Sequence, residues 1–460
     1  MNNLTIGEIL KATKGKIIHG NEAEEVADFS KDTRTIKSGA LYVGIKGEKF
    51  DGNNYFKQAY ENGAIACILD SKELNSEDLE KYQNVILVDD SIKALQDLAR
   101  YRRNQYNIPV VAVTGSVGKT STKDIIASVL SEKFDVLKTE GNNNNHIGLP
   151  LTLLKLKKHN AVVVEMGMNH FGEISLLTNI AKPNICIITN IGTSHIGNLG
   201  SRENILKAKL EILEGMPNNG TVIINNDNDL LHQWYEDNKN VYNIVTYGIT
   251  NKSKFMANNI KIAENDSCFN MIYNEKEYSI KVPVPGIPFI YNSLCAVSVG
   301  SLLNIEMEKM IQGILKFELT KKRMEKLKTS NGVIIINDSY NASLDSVKPA
   351  LEQLKNTTGN KKIAVLGDML ELGSYAKKLH ELVGEEVIKN NIDILITVGD
   401  NARYIANKSV EMGMKEVFSY NSIAEAVKKI EEVQNENDVI LLKASNSMHF
   451  NKIAEELIKK

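Results

Sequence analysis

Short apolar runs alternate along most of the chain with longer stretches in which apolar residues recur every three or four positions. The runs VVAVTG, AVVVEMG and ICIITNIG contain consecutive apolar residues, a pattern typical of strands buried on both faces of a parallel sheet. The stretches between them, such as STKDIIASVLSEKF and NILKAKLEILEG, have helical spacing. We therefore predict an α/β protein whose parallel sheets are covered by helices on both faces.

The pattern divides into three blocks, and 460 residues exceed what one hydrophobic core usually serves. Residues 1–106 form a small α/β unit with strands predicted at Ala40–Ile45, Ile65–Leu69 and Val85–Val88. Residues 107–318 contain the strands and helices above, then alternating segments from 244 to 284 that indicate antiparallel strands, and a helix at YNSLCAVSVGSLL. Residues 319–460 return to strand and helix alternation, with strands predicted at VIIIND, KIAVLGD, DILITVGD, EVFSY and DVILLKAS. We predict three α/β domains with these boundaries.

Composition narrows the class of protein. The chain has 55 basic and 57 acidic residues and a formal charge of -2, which gives no indication of a nucleic-acid partner. The four cysteines form no CxxC pair and lie in apolar runs, so we expect reduced core residues. No apolar stretch approaches the roughly 20 residues of a membrane span, and MNNLTIGEIL lacks the features of a signal peptide. We expect a cytoplasmic monomer with no membrane insertion.

A candidate phosphate loop lies at Val110–Thr120, where the strand VVAVT runs into the turn GSVGKT and a helix. Glycines let backbone amides approach a phosphate, and a helix start adds partial positive charge. Lys119 is expected to reach the β and γ phosphates and Thr120 to offer its hydroxyl to Mg²⁺. Val113 stands where the strict Walker pattern has glycine, so the loop is a variant. The alternative is a tight turn with an incidental Gly-Lys-Thr. We predict ATP binding by residues Gly115, Ser116, Val117, Gly118, Lys119, Thr120 and Ser121.

Several further motifs follow in a fixed order: TEGNNNNHIGLP at 139–150, EMGMNHFGEI at 165–174 and ITNIGTSHIGNLGSRENILKAKLEIL at 188–213. With the phosphate loop and DTRTIKSGALYVGIKGEKFDG near the N-terminus, they resemble the Mur ligase family over nearly the whole chain. The resemblance implies an N-terminal UDP-binding domain, a central ATPase domain and a C-terminal Rossmann-like domain. NDSYNASLDS at 337–346 and LGDMLELG at 366–373 are similar to the family member that adds D-alanyl-D-alanine to UDP-N-acetylmuramoyl-tripeptide. An ATP-dependent ligase of peptidoglycan synthesis is therefore expected.

Such a ligase must make a carboxylate electrophilic, which ATP does by forming an acyl phosphate. The crowded negative charge calls for Mg²⁺. Glu165 closes the run AVVVE at the carboxyl end of a predicted strand, where open α/β sheets bind ligands. The resemblance implies that Glu165 and His195 bind the metal, and that Lys209 carries a carbamate that does so too. The alternatives are a solvated acid, a structural histidine and a solvated helix lysine like Lys207.

The resemblance also implies nucleotide contacts from other segments. Asn292 matches an asparagine that contacts adenine, although Pro288 stands where the family usually has histidine. Arg323 and Asp338 resemble a pair that reaches ATP phosphate and ribose when the domains close, the alternative for Arg323 being a surface arginine.

Substrate contacts are expected in three places. In the TEGNNNNHIGLP loop, Asn142 and Asn145 are expected to hold the nucleotide-sugar substrate and the phosphate region, the alternative being a simple turn. In the third domain, Asn341 and Ser343 are expected to contact the dipeptide or nucleotide, although Leu344 replaces an expected proline. LLKASNSMHF is similar to a family Lys-Gly-Ser-Arg segment, with Ala444 and Asn446 in place of glycine and arginine.

Near the N-terminus, Asp32, Thr33 and Arg34 with Lys46 and Gly47 resemble the uridine diphosphate pocket. A loop of mixed charge is otherwise unremarkable.

Three other functions compete with this hypothesis. A sister ligase would add one amino acid to a muramyl peptide or glutamate to folate, and NDSYN and LGDMLELG argue against it. A non-catalytic nucleotide-binding homologue would not need Lys119, Thr120, Glu165, His195 and Lys209 together. A mechanical or signalling ATPase would be expected to have a full Walker motif and leaves the third domain without a role.

Overall fold

The computed structural model describes residues 3–70 and 76–459. The chain separates into two compact units. The first comprises Met1–Thr114, Lys133–Cys186 and Leu210–Thr221. The second comprises Gly115–Glu132, Ile187–Lys209 and Val222–Lys460. In the ranges described, no helix is both long enough and apolar enough to cross a membrane.

The N-terminal part of the first unit is a small α/β layer. Its elements are β1 (Leu4–Thr5), α1 (Ile6–Thr13), β2 (Lys16–Ile17), β3 (Glu25–Val26), β4 (Asp28–Ser30), β5 (Ala40–Val43), α2 (Phe56–Glu61), β6 (Ala64–Leu69), α3 (Ser76–Leu79), β7 (Val85–Leu87) and α4 (Ser91–Asn104), with 3-10 turns at Thr33–Thr35 and Gly52–Tyr55. The sheet order is β2-β7-β6-β5-β4, parallel except for the edge strand β2. The three strands predicted in this region are confirmed.

Local sequence explains how these elements begin and pack. Helix α1 begins at a capping box in which the Thr5 hydroxyl accepts the Glu8 N–H and the Glu8 carboxylate accepts the Thr5 N–H. Helix α4 begins at Asp90, whose carboxylate accepts the Lys93 N–H. Apolar side chains of β5, β6 and β7 pack with α2 into one buried cluster that includes Tyr42 and Phe56.

The next stretch carries the phosphate loop. Its elements are β8 (Val110–Thr114), α5 (Lys119–Leu130), β9 (Val136–Lys138), α6 (Gly148–Leu154), β10 (Ala161–Glu165), α7 (Glu173–Ala181), β11 (Ile185–Ile188), α8 (Ile196–Leu199), α9 (Arg202–Leu210), β12 (Thr221–Asn225) and α10 (Asp229–Asn238), with a 3-10 turn at Glu211–Gly215. In the first unit β10 lies between β8 and β9, parallel to both. Glu165 pairs in register with Val113, so the strand ends at the acid, as its apolar run predicted.

The second unit then contains β13 (Asn243–Gly248), β14 (Phe255–Ile262), β15 (Ser267–Tyr273), β16 (Lys276–Val282), α11 (Ile287–Leu302) and α12 (Met307–Leu315). Strands β14, β15 and β16 are antiparallel, as predicted, but β13 pairs with β14 in parallel. The connection between them folds around the Asp227 carboxylate, which accepts the N–H groups of Ile249, Thr250 and Asn251. After this connection, the chain runs in the same direction as it did in β13.

The C-terminal part is a Rossmann-like layer. Its elements are β17 (Glu325–Lys328), β18 (Ile334–Asn337), α13 (Leu344–Asn356), β19 (Lys362–Gly367), α14 (Ala376–Lys389), β20 (Ile394–Val398), α15 (Ala402–Glu411), β21 (Val417–Tyr420), α16 (Ile423–Val433), β22 (Val439–Lys443) and α17 (Asn451–Ile458), with 3-10 turns at Gly373–Tyr375 and Asn446–Met448. The sheet order is β17-β18-β22-β19-β20-β21. All neighbours are parallel except β17, an edge strand that the apolar pattern did not reveal. The five predicted strands are confirmed.

Candidate functional site

The phosphate loop needs glycine at two positions. Gly115 has φ +151°, and a Cβ there would stand 1.9 Å from the Thr189 Oγ1. Gly118 has φ +80° and is the N-cap of α5. Side chains at these positions would clash or be strained, so both glycines are structural requirements of the turn.

The segment that follows β11 holds this loop in shape. The Asn190 carbonyl accepts the Ser116 N–H at 3.1 Å. The Asn190 side chain accepts the Val117 N–H at 2.9 Å and donates to the Val117 carbonyl at 3.1 Å. Thr189 Oγ1 also donates to the Val117 carbonyl, at 2.8 Å. Two residues of the ITNIG motif therefore position the loop, a role that was not predicted from the sequence.

Helix α5 presents Lys119 and Thr120 in its first turn. The Lys119 ammonium folds back over the loop and donates to the Gly115 carbonyl at 2.9 Å. Thr120 is 4% exposed, and its hydroxyl accepts from the Arg323 guanidinium at 3.1 Å. The N–H groups of a first helical turn lack intrahelical acceptors, which is the arrangement that binds phosphate. The loop, the lysine and this helix start together can neutralise an anion.

Asn292 lies on α11 beside the same helix. Its Oδ1 accepts from the Thr122 hydroxyl at 2.9 Å. Pro288 occupies the first turn of α11, where a missing N–H breaks no helical bond. The Pro288 departure is therefore compatible with the helix that carries Asn292.

Lys209 is buried on α9, with 1% of its surface exposed, whereas Lys207 is exposed. Burial, together with the positive charge of Lys119, holds the pKa of Lys209 well below its usual range. In the ranges described, no carboxylate pairs with the Lys209 ammonium within 4.0 Å. This environment favours the neutral amine.

His195 precedes α8 and has φ +64°, in the left-handed region. Its Nδ1 lies 2.5 Å from the Glu371 Oε2. Glu371 belongs to the LGDMLELG motif, so the structure brings two of the motifs together through side chains. Glu371 was not among the site residues predicted from the sequence.

Arg323 and Asp338 lie near each other in the second unit. The Arg323 guanidinium stacks 3.9 Å from the centre of the Tyr340 ring, and its Nε is buried without a hydrogen-bond partner among the described residues. The Asp338 carboxylate accepts the Met324 N–H at 3.2 Å and pairs with the buried Lys443 ammonium. Burial lowers the pKa of Lys443, and the Asp338 charge opposes that shift.

The neighbouring predicted contacts have local structural roles. The Asn341 carbonyl accepts from Lys443 at 3.0 Å, and Ser343 caps α13 through a reciprocal contact with Ser346. Leu344, where proline was expected, is buried at the first position of α13. Ala444 is buried and Asn446 begins a 3-10 turn.

In the first unit, Glu165 is 2% exposed at the end of β10. Its Oε1 accepts from the Asn144 side chain at 2.7 Å, and its N–H donates to the Thr139 hydroxyl at 3.0 Å. Gly167, two residues later, donates its N–H to the Asn144 carbonyl at 2.9 Å. The Glu165 carboxylate is therefore held by the asparagine loop.

Asn144 is the asparagine of that loop that contacts the acid, whereas the residues predicted from the sequence were its neighbours. Asn142 accepts the Asn144 N–H through its carbonyl at 2.8 Å. The Asn145 side chain accepts the N–H groups of Ile147 and Gly148 at the start of α6. The four consecutive asparagines are equivalent in sequence, so spacing could not separate these roles.

The predicted uridine diphosphate residues occupy two loops of the first unit. Asp32 caps a 3-10 turn and pairs with Arg34 at 2.6 Å, and this hydrogen bond lowers the pKa of Asp32 to about 2. The Thr33 hydroxyl donates to Gln58 at 3.0 Å. The backbones of Lys46 and Asp51 form an isolated antiparallel β-bridge, and the Gly47 N–H donates to the Phe50 carbonyl within the same turn. Exposed charges on ordered turns can receive an anionic ligand.

No group of three histidine, cysteine, aspartate or glutamate side chains in the described ranges could hold a metal ion by itself. Mg²⁺ in phosphate-transfer sites is usually held by one or two protein oxygens, phosphate oxygens and water. The Thr120 hydroxyl and the Glu165 carboxylate are oxygens of that type. Each of these oxygens, taken by itself in its own unit, is of the kind that binds Mg²⁺ brought by a nucleotide.

Comparison with known proteins places the chain among ligases. It matches three family models: the Mur ligase family catalytic domain over 29–103, the Mur ligase middle domain over 113–300 and the Mur ligase glutamate ligase domain over 322–446. These three segments agree with the three-domain architecture expected from the sequence.

Full-length relatives agree with the family models. The UDP-N-acetylmuramoyl-tripeptide--D-alanyl-D-alanine ligase of Bacillus subtilis is 36% identical over 99% of this chain and 98% of its own. The Escherichia coli ligase of the same name is 31% identical over 93% of this chain and 92% of its own.

Solved structures extend the likeness to the fold. A crystal structure of MurF from Acinetobacter baumannii has a TM-score of 0.88 at 29% identity, covering 99% of both chains. MurF ligase from Thermotoga maritima in complex with ADP has a TM-score of 0.81 at 27% identity, covering 94% of this chain and 97% of that one.

Proposed function

The chain belongs to the Mur ligase family, and from this membership we propose that it joins D-alanyl-D-alanine to UDP-N-acetylmuramoyl-tripeptide with ATP. The observation that carries this proposal is the 36% identity, over 99% of the chain, to a relative named for that reaction. The product is a peptidoglycan precursor. Since ATP and nucleotide-linked sugars are made in the cytoplasm, we propose that the reaction takes place there. We also propose that the first domain ends at residue 106 and the second at residue 318.

The proposed reaction has two steps. The γ-phosphoryl group passes from ATP to the tripeptide carboxylate, giving ADP and an acyl phosphate. The dipeptide amine then attacks the acyl carbon, the amide bond forms, and phosphate and a proton leave. Both steps develop negative charge at phosphate oxygens, so fixed positive groups accelerate them. Lys119 and the start of α5 are the groups that we propose for this role.

Residues suited to Mg²⁺ support an ATP-dependent reaction. We propose Thr120, Glu165, His195 and the modified Lys209 as metal-binding residues. When bound, Mg²⁺ supplies neutralisation of phosphate charge. The Thr120 hydroxyl is held by Arg323, the Glu165 carboxylate by Asn144, and the His195 ring by Glu371. Three of the four proposed groups are therefore already oriented by a neighbour.

We propose that Lys209 reacts with carbon dioxide. A neutral amine attacks the carbon of CO₂ and releases one proton, leaving a carbamate with two oxygens and a negative charge. The burial of Lys209 and its lowered pKa support this step, because an ammonium has no lone pair with which to attack. A carbamate would also place negative charge near the Lys119 ammonium.

The test of the carbamate uses ¹³C-bicarbonate and ¹³C NMR of the purified protein. A carbamate signal in the wild type that is absent from Lys209→Ala and retained in Lys207→Ala would support the modification. Lys207 is the matched control because it is exposed on the same helix. A wild-type protein without the signal, at full ligase activity, would refute the carbamate and leave the ligase proposal standing.

Arg323, Asp338 and Asn292 are the proposed nucleotide contacts outside the phosphate loop. Arg323 lies at the Thr120 hydroxyl with a buried Nε still lacking an acceptor among the described residues, which supports a role at ATP phosphate. Asp338 is held by Lys443, which supports an oriented carboxylate for the ribose. Asn292 lies beside α5, which supports a place near the adenine.

The substrate contacts are also proposals. We propose that Asp32, Thr33, Arg34, Lys46 and Gly47 receive the uridine diphosphate. The asparagine loop, with Asn142 and Asn145, is proposed to hold the nucleotide-sugar, and Asn341 and Ser343 the dipeptide or nucleotide. The contact of Asn144 with Glu165 supports the position of that loop at the acid.

The decisive assay follows ADP release by the purified protein with Mg-ATP, UDP-muramyl tripeptide and D-alanyl-D-alanine, omitting each component in turn. We expect turnover only with all components present, and a product heavier by one dipeptide less water by mass spectrometry. ADP formation without the peptide substrates would favour another ATPase. A product that gains a single amino acid would favour a sister ligase.

A further inference from the structure

A loop that carries His195 is held by residues from the C-terminal part of the chain. We call residues 192–200 the histidine loop. At its start, the Thr193 N–H and hydroxyl both donate to the Asp345 Oδ2, at 2.7 and 2.9 Å. At its end, the Tyr375 hydroxyl donates to the Gly200 carbonyl at 2.7 Å. Both ends of the loop are therefore fixed by side chains of the second unit, one from α13 and one from the 3-10 turn at Gly373–Tyr375.

The backbones also approach closely. The Gly197 N–H donates to the Glu371 carbonyl at 3.0 Å. A Cβ on Gly197 would stand 2.5 Å from the Gly373 nitrogen, and a Cβ on Gly192 would stand 2.3 Å from the Asp345 Oδ2. The contact at Gly197 is with backbone atoms and admits no side chain, whereas a side chain at Gly192 would have to displace the Asp345 carboxylate.

Between these points, the His195 ring meets the Glu371 carboxylate at 2.5 Å. Both residues adopt left-handed backbone conformations, φ +64° for His195 and φ +62° for Glu371. Non-glycine residues hold such conformations only where their surroundings fix them, and they concentrate at functional positions. The backbone conformations of both residues are therefore constrained, and they place the His195 ring against the Glu371 carboxylate.

The Glu371 loop is itself anchored from behind. The Met369 N–H donates to the Nε2 of the buried His380 at 3.0 Å, and the Leu370 N–H donates to the Ser445 hydroxyl at 2.9 Å. These two bonds lie immediately before Glu371 in the chain. These bonds fix the backbone from which the Glu371 side chain extends toward His195.

We propose that Glu371 is a positioning residue for the ligase reaction, because its carboxylate accepts the Nδ1–H of His195 and thereby presents the Nε2 lone pair of that ring at the active site. The proposal rests on the proposed function. A carboxylate behind one ring nitrogen fixes both the tautomer and the plane of the imidazole. The Nε2 lone pair can then bind a cation or accept a proton, which an Nε2–H tautomer cannot do.

The first experiment is independent of catalysis. Two-bond ¹H–¹⁵N spectra of ¹⁵N-histidine-labelled, ligand-free protein at about pH 8 report each ring's tautomer. His195→Gln assigns the signal by its loss. We expect the neutral Nδ1–H form in the wild type and a shift toward Nε2–H in Glu371→Ala. A wild-type ring that is Nε2–H or doubly protonated, or a tautomer unchanged in Glu371→Ala, would overturn the proposal.

The second experiment measures steady-state kinetics. We expect Glu371→Ala to lower kcat by roughly 10- to 100-fold, as loss of an orienting partner usually does, with little change in KM. Glu371→Ala should cost nothing further in a His195→Gln background, because the two residues act as one unit. Glu381→Gln is the matched control for Glu371→Gln, which keeps side-chain volume if the alanine variant fails to fold. Among the described residues, the Glu381 carboxylate pairs only with Lys377, at 3.9 Å within the same helix.

The two experiments separate this proposal from the proposed function. If the wild type makes no ligated product, the ligase assignment fails whatever tautomer the spectra report. If the wild type ligates and Glu371→Ala and Glu371→Gln retain its kcat, the positioning role alone is refuted. If additivity holds in the His195→Gln background, Glu371 acts elsewhere and the proposal is also refuted.

Discussion

Asn190→Ala is the substitution that isolates the support of the phosphate loop. It removes two hydrogen bonds between the Asn190 side chain and Val117, at 2.9 and 3.1 Å, and leaves the backbone bond to Ser116 in place. A neutral hydrogen bond contributes about 0.5–1.5 kcal/mol net, so the two together contribute about 1–3 kcal/mol. The loop should lose its fixed shape without losing any residue proposed to contact nucleotide.

The magnitude sets the expected loss of affinity. If all of this free energy is lost from the ordering of the phosphate loop, ADP must order the loop when it binds. The Kd for ADP then rises by roughly 5- to 150-fold, at tenfold per 1.4 kcal/mol. If part of it falls on folding, the free energy of unfolding drops by that part and the Kd changes by less. The sum of the two changes should lie within the same range of about 1–3 kcal/mol.

Calorimetric titration with ADP and chemical denaturation of the same preparations measure both parts. Asn179→Ala is the control, because Asn179 is exposed and, in the part of the chain that the structure describes, its side chain bonds only to the Ser175 carbonyl of its own helix. Asn190→Ala with unchanged ADP affinity and unchanged stability would show that these hydrogen bonds do not support the loop. An equal loss in Asn179→Ala would show that the effect is not specific to the loop.

Three further predictions concern the second unit. Burial lowers the pKa of His380, whose Nε2 accepts the Met369 N–H; its contribution is complete above about pH 6.5 and is lost as pH falls, because only the unfolded state takes the proton. Urea denaturation between pH 7.5 and 5.5 should therefore show a steeper loss for the wild type than for His380→Gln, and equal slopes would contradict this. Lys443→Met leaves the Asp338 carboxylate buried without its cation and should lower the free energy of unfolding by about 3–5 kcal/mol; denaturation that moves by less than 1 kcal/mol would indicate a solvated pair. Gly115→Ala places a Cβ 1.9 Å from a hydroxyl oxygen in a left-handed conformation, so we expect about 2–5 kcal/mol of destabilisation and loss of ADP binding, and normal ADP titration would refute this geometry of the turn.

Helical periodicity predicts the burial of Lys209 but only part of the cause of its lowered pKa. Ile205 and Ala208 share its buried face on α9, and Ile205 lies four residues before it. That spacing places Lys209 on the apolar side and Lys207 on the exposed one, so burial could have been read from the sequence. The lowered pKa of Lys209 follows first from that burial, and only the further contribution of the Lys119 charge, from a different segment, required the structure.

The contact of Glu371 with His195 could not be predicted from the sequence. Glu371 follows β19 in the chain, whereas His195 follows β11, and 176 residues separate them. No local pattern links the two segments, because their contact depends on how loops from different sheets meet. Asn190 is an intermediate case: the ITNIG motif marked its segment, but only the hydrogen bonds to Val117 revealed what that segment supports.

Local sequence was enough to predict the order of strands and helices, the phosphate turn and the acid at the end of β10. Those features depend on apolar periodicity, on glycine at strained positions and on the point where a buried run stops, and all three are local. Contacts in three dimensions select which of four asparagines holds Glu165, which residues shape the phosphate loop and which carboxylate faces His195. They also set the parallel pairing of β13 with β14. These outcomes depend on distances of a few ångströms between segments far apart in the chain, and hydrogen bonds form only at such distances.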